Sequence, residues 1–184
     1  RLDIINRSGK HLLALINDVL DMAKIEAGRV QLEIAPFDLG ELTGDLMDLM
    51  RVRAVEKNLE LQLEQSSELP RLIRGDETKL RQVLVNLLGN AIKFTREGRV
   101  SLRLGAEPDP HGLRLLIDVE DSGPGISLQD QARIFEPFVQ LDQAAPQNGT
   151  GLGLTISRQF VHLMGGQLTL TSQLGQGSCF RVEL

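Results

Sequence analysis

Leu80, Val83, Leu84, Leu87, Leu88 and Ala91 recur at spacings of three and four, so one side of a helix around them is wholly apolar. Such a helix must lay that side on a sheet or on other helices, and this constrains the fold more than any other stretch of the chain. Asp76 stands where an N-cap belongs. Bordering the apolar side, Lys79, Gln82, Asn86, Asn90 and Lys93 fall in a narrow stripe on a 3.6-residue wheel. Asparagine is a poor helix-interior residue, because its amide competes with the backbone for hydrogen bonds. Two of them four positions apart, with an ammonium beyond, call for a reason other than helix propensity.

The flanking segments supply what this helix packs against. Residues 1–26 read as a helix whose stripe of Ile5, Leu12, Ile16, Val19 and Ala23 is widened by Leu13, Leu20 and Met22, an arc suited to a multi-helix bundle. Gly28 ends it. Asp38 caps a helix over 39–56, a short helix covers 127–134, and "LGLTISRQFVHLMGG" is a final helix stopped by Gly165-Gly166. Alternation marks strands in "RVQLEIAPFDL", "LELQLEQ", "RVSLRLGAE", "GLRLLIDVED", "QLTLTSQ" and "SCFRVEL". The third and fourth make a hairpin through Pro108, Pro110 and Gly112; the last two make another around Gly175 and Gly177. Residues 68–75 are a loop with a short strand, and 139–150 lack periodicity and read as a mobile loop. The order predicts an α+β fold, a two-layer α/β sandwich with a mixed sheet covered by helices on one face, preceded by one long helix.

Composition excludes several classes. A formal charge of −5 with scattered basic residues gives no electrostatic footprint for nucleic acid, and Trp and Tyr are absent. No apolar run approaches the roughly 20 residues that span a bilayer, and no signal peptide opens the chain. No direct membrane contact is expected. The abrupt start inside a helical pattern suggests a piece of a longer protein. Cys179 is the one cysteine, so an intrachain disulfide and a multi-cysteine metal site are excluded, and a reduced, cytoplasmic setting fits.

Three segments carry candidate chemistry. By itself the stripe of Asn86, Asn90 and Lys93 reads first as a solvated edge, yet amide oxygens serve as hard-cation ligands and an ammonium suits phosphate. "DSGPG", Asp121 to Gly125, reads first as a turn after the buried strand "LLIDVE". Alternatively, Asp121 accepts a hydrogen bond from an exocyclic amine while Gly123 and Gly125 leave room for a flat ring. "GTGLGL", Gly149 to Leu154, puts three glycines at a helix start, where exposed N–H groups and the dipole favour anions. It is a GxGxG rather than GxGxxG, and no GxxxxGK[ST] occurs, which excludes a P-loop.

Taken together, the segments resemble the catalytic, ATP-binding domain of sensor histidine kinases, in the GHKL superfamily with the Bergerat fold. "INRSGKHLLALINDVLDMAKIEAG" looks like the second helix of the dimerisation and phosphotransfer domain. "GDETKLRQVLVNLLGNAIKFT" matches the asparagine box, "DVEDSGPGI" and "GTGLGL" the two glycine boxes, "IFEPFVQ" the phenylalanine box, and "GQGSCF" the terminal glycine motif. The resemblance implies two parts, residues 1–28 as a partial phosphotransfer domain and 29–184 as the ATP-binding domain. It implies ATP and Mg²⁺ as cofactors, with Asn90 as the metal ligand and Asn86 and Lys93 assisting at the phosphates. Asp121, with Gly123, Gly125 and Ile126, would bind adenine, and Ser178 would support Asp121 through water. Gly149, Thr150, Gly151, Leu152, Gly153 and Leu154 would cradle the phosphates. Phe135 and Phe138 would anchor, partly buried, one end of residues 139–150, the family's ATP lid.

The implied activity is transfer of the ATP γ-phosphoryl group to a histidine, then to an aspartate of a response-regulator receiver domain, in a homodimer joined through the bundle. In hydrolysing relatives a glutamate stands at the position of Asn86, and asparagine cannot take the water's proton. The acceptor motif belongs to the first bundle helix. His11 is followed by Leu12-Leu13 instead; His111 is a loop residue and His162 structural or exposed, so the chain is expected to bind ATP without its own phosphorylation site. The lid holds no Arg or Lys, leaving phosphate neutralisation to Mg²⁺, Lys93 and the helix start, with Arg96 a weaker substitute. Asn148-Gly149 stands where relatives have Gly-Gly. The alternatives are a degenerate nucleotide-binding scaffold and a hydrolysing GHKL ATPase. The full-length protein could carry a membrane anchor elsewhere.

Overall fold

A computed structural model describes residues 2–110, 112–141 and 149–184. His111 and residues 142–148 of the expected lid lie outside the described residues, as does the side chain of His11. The apolar periodicity read above produces three long helices in the first half: α1 (Leu2–Glu26), α2 (Leu39–Glu56) and α3 (Glu77–Phe94). Asp38 and Asp76 cap α2 and α3 as expected, accepting from the amides of Glu41 at 3.1 Å and Lys79 at 2.9 Å.

Strands β2 (Glu60–Gln65), β4 (Arg99–Asp109), β5 (Gly112–Asp121), β6 (Gln167–Gln173) and β7 (Gly177–Glu183) form one sheet in the order β2-β4-β5-β7-β6. The pair β2–β4 is parallel and the others antiparallel, so the sheet is mixed. Ser127 caps the short α4 (Leu128–Arg133), and α5 (Gly153–Leu163) leads into β6.

"RVQLEIAPFDL" departs from expectation. Only β1 (Ala35–Asp38) is strand, and it pairs antiparallel with β3 (Leu72–Gly75) in a separate two-stranded ribbon. Residues 29–34 alternate in sequence but meet no sheet edge: Ile34 is exposed, and Glu33 N–H donates to Asp76 Oδ2 at 2.9 Å. Alternation marks a strand only where a partner reads it.

The apolar face of α3, together with Leu42, Leu46 and Met50 of α2 and Ile156, Phe160 and Val161 of α5, packs on Val100, Leu102, Ile117, Val119 and Val182 of the sheet. The opposite sheet face is charged. Arg103 bonds Glu64 at 3.0 Å and Glu120 at 3.3 Å, and Arg181 forks onto buried Asp118 at 2.7 and 2.8 Å. Helices therefore cover one face, as expected. Cys179 lies opposite Glu120 on the charged face, and burial, with Asp118 and Glu120 nearby, pushes its thiol up to about 11. Leu12, Leu13 and Leu20 of α1 stay more than half exposed. Among the described residues no helix is long and apolar enough to cross a membrane.

Candidate functional site

The polar stripe of α3 faces α5 and the loop leading into it. Lys79 Nζ sits 4.8 Å from the centre of the Phe160 ring, and Asn86 Nδ2 donates to Ser157 Oγ at 2.9 Å. The side chain of Asn90, half-buried, has no hydrogen-bond partner among the described residues. Lys93 Nζ lies over Phe94 at 4.9 Å and close to the backbone of Gly149, and burial pulls its pKa below the ordinary ammonium value. The solvated-edge reading therefore fails for Asn86 and Lys93, which pack against α5 and the loop before it.

Beside this stripe α5 begins with Leu152 at its N-cap position, and no side chain caps it. An uncapped helix start of this kind favours negative charge near its first N–H groups. Two glycines at the helix start admit close neighbours. Gly151, at φ +71°, lies under the backbone of Phe138, where a Cβ would come 2.7 Å from a carbonyl carbon. A Cβ on Gly153 would fall on the amide oxygen of Asn86. Leu152 is buried and Leu154 half-buried, so both anchor the helix start rather than line it. Gly149 O accepts from Gln140 Nε2 at 2.7 Å.

Asp121 closes β5, 8% exposed. Its Oδ1 accepts from Gly123 N at 2.8 Å. Burial raises its pKa above the ordinary carboxylate value, opposed by the backbone N–H groups of Gly123 and Ser178. Ser178 is its register partner on β7, but the Ser178 hydroxyl meets Ser172 Oγ at 2.9 Å. Ser172 also takes the N–H of Ile126 at 2.8 Å, which ties the "DSGPGI" turn to the β6–β7 hairpin. Thr95, fully buried at the end of α3, approaches the Gly123 side of this turn.

Of the two phenylalanines, only Phe138 departs from the expected partial burial. Phe135 is half-buried, edge-on to Phe180 at 6.4 Å, with Arg158 over its face at 5.1 Å. Phe138 is 70% exposed and holds φ +64°, so its side chain anchors nothing by burial. Its backbone does the work through a 2.9 Å bond from its N–H to Gly151 O. Arg96 and His162 are exposed.

Three contributions escaped the sequence reading. Ser157, 2% exposed, is a polar residue on the buried side of α5, and that mismatch was the available signal. Lys57 donates to the carbonyls of Ile92, Lys93 and Thr95 at 2.7, 2.8 and 2.7 Å, tying off the end of α3. From α1, Asp18 accepts from the Thr150 hydroxyl at 2.7 Å and Asp21 from Gln82 at 2.8 Å, so the long helix docks beside the glycine loop. Nothing local marks the last two.

Comparisons with known proteins identify the family. Residues 75–184 match the family of histidine kinase-, DNA gyrase B- and HSP90-like ATPases. The circadian input-output histidine kinase CikA of Synechococcus elongatus is 42% identical over 97% of this chain and 24% of its own length. Sensor protein GacS of Pseudomonas syringae pv. syringae is 41% identical over all of this chain and 20% of its own. The chain thus spans about a quarter or less of the curated relatives it matches. Full-length ShkA, solved in complex with AMPPNP, has a TM-score of 0.84 at 41% identity, covering 98% of this chain and 37% of that one. The nucleotide-free catalytic domain of histidine kinase ThkA has a TM-score of 0.69 at 27% identity, covering 83% and 97%. The matched residues run from the cap of α3 through α5 to the end of β7. The chain belongs to the histidine kinase-, DNA gyrase B- and HSP90-like ATPase family, and within it to the ATP-binding catalytic domains of histidine kinases.

Proposed function

We propose that the chain binds Mg²⁺-loaded ATP in the cleft between α3 and α5 and, within a longer sensor kinase, donates the γ-phosphoryl group to a histidine that this chain does not carry. The observation that carries the reading is the start of α5, free of a side-chain cap, beside Asn86 and Lys93 of α3, together with the buried carboxylate of Asp121 at the end of β5. Asp121 accepts from the exocyclic amine of the purine, and Gly123, Gly125 and Ile126 form the turn beside it. The triphosphate lies along the Gly149–Leu154 segment, with Lys93 on the opposite wall.

Among the described residues no three His, Cys, Asp or Glu side chains are grouped to hold a metal. Mg²⁺ is commonly held by one or two protein ligands with phosphates and waters, and the unengaged amide of Asn90 fits that donor set. When bound, the cation neutralises phosphate charge that would otherwise repel a nucleophile. Asn86 has no proton-accepting capacity, so water is not activated, and transfer to a protein side chain is favoured over hydrolysis. From the histidine the phosphoryl group passes to an aspartate of a response-regulator receiver domain. Residues 1–28 belong to the dimerisation and phosphotransfer unit and 29–184 to the nucleotide-binding unit, in a homodimer on the cytoplasmic side.

Calorimetry with ATP in Mg²⁺ and in chelator tests the binding, and γ-labelled ATP with a separately supplied acceptor helix tests the transfer. The expected result is Mg²⁺-dependent binding, acid-labile label on the acceptor and little free phosphate. No binding overturns the reading altogether; binding without label points to the scaffold, and sustained phosphate release to an ATPase.

A further inference from the structure

We infer that Ser157 is a positioning residue: it orients the Asn86 amide and thereby tunes the phosphate end of the cleft, an inference that rests on the nucleotide-binding reading above. An asparagine side chain has two ends of nearly equal shape and opposite polarity, and a neighbour must decide which one faces a ligand. Here Ser157 Oγ receives Nδ2 at 2.9 Å, which turns the amide oxygen onto the first turn of α5 at Gly153. The amide therefore spans two α5 residues one helical turn apart, and the missing Cβ of Gly153 makes the notch that admits it. A serine in a helix interior commonly returns its hydroxyl to the carbonyl one turn back, at a cost in helix stability. Ser157, 2% exposed among Ile156, Phe160 and Val161, meets α3 instead.

The pair consequently sets two things at once. It fixes the separation between α3, which carries Asn90, and the N–H groups at the start of α5. It also keeps an acceptor oxygen, not an amide N–H, toward that start. Neither effect reaches Asp121, which lies on β5 and binds the other end of the nucleotide. Ser157 should therefore matter for a Mg²⁺-loaded triphosphate and not for the purine contact.

Titration calorimetry on the whole chain, with ATP in Mg²⁺ and with ADP in chelator, separates the two. Ser157→Ala is expected to raise the Kd for Mg²⁺-ATP about tenfold, the effect of one misdirected hydrogen-bonding group, while Mg²⁺-free ADP changes less than about twofold. Ser157→Thr, which keeps the hydroxyl, should restore the wild-type ratio, and Asn86→Ala should show the same selectivity, with the double variant no worse. Should Ser157→Ala not fold, Ser157→Cys, which keeps the shape but is a weaker acceptor, takes its place and should show the same selective loss. Equal weakening of both nucleotides, no weakening, or failure of Ser157→Thr to restore the ratio overturns the inference and leaves Ser157 as a packed core hydroxyl. Absence of Mg²⁺-dependent ATP binding by the wild type overturns the nucleotide reading instead.

Discussion

Asp121 stores a conflict between stability and binding. Its folded pKa is raised, chiefly by burial, so the charged form is disfavoured in the folded state. A raised pKa stabilises the fold below the unfolded value, and that contribution is lost as pH rises through the folded value; at neutral pH the ionised carboxylate is a net burden. Asp121→Asn keeps the shape and an acceptor for Gly123 N–H while removing the buried charge. Its melting temperature is expected at or above that of the wild type by scanning calorimetry, whereas adenine-nucleotide affinity falls about ten- to a hundredfold, the worth of a hydrogen bond to a charged group. On the proposed reading the ionised form accepts from the purine amine, so affinity should decline on acidification at a pH above that where an ordinary aspartate titrates; calorimetry across a pH series checks this. Alone, the stretch around Asp121 reads first as a turn, and its Oδ1 does accept the turn bond from Gly123 N–H; the candidate role comes from the resemblance. The exposure of Phe138 was not legible: aromatic identity predicts burial, but the 2.9 Å backbone bond to Gly151 holds that residue with its ring outward.

At the scale of elements, α3 is secured at both ends by residues outside it. Asp76 caps its start and also takes Glu33 N–H, and Lys57, from the turn after α2, gathers three carbonyls at its end. Those carbonyls lack intrahelical partners, and a cation there also meets the negative end of the dipole. Lys57→Met is expected to destabilise the chain by about 1–3 kcal/mol, the penalty for part-buried carbonyls left unpaired. It should also weaken Mg²⁺-nucleotide binding, because Lys93 and Asn90 sit in the turns it secures; thermal melts and calorimetry on one variant read both. The caps at Asp38 and Asp76 were visible in the sequence, since an N-cap acts on residues three positions away. The Lys57 clamp spans 35 to 38 positions and carries no local pattern.

Across the whole molecule, one sheet face is buried under helices and the other is charged, while α1 leaves an apolar surface open. Leu13 and Leu20 stand 62% and 51% exposed on it. Such a surface seeks a partner, and the bundle reading makes that partner a second helix pair. Leu13→Glu with Leu20→Glu is expected to lower self-association in sedimentation equilibrium without shifting the melting temperature of the α+β body; unchanged association would count against the bundle.

The sequence by itself determined the helices, the N-caps at Asp38 and Asp76 and most strands, because periodicity and capping act over two to four positions. Only the tertiary structure decided that residues 29–34 meet no sheet, that α1 lays Asp18 on Thr150, and that Asn86 turns its nitrogen to Ser157. The last two join residues 132 and 71 positions apart. At those separations the pairing follows from how whole helices pack, and no local pattern in the chain encodes it.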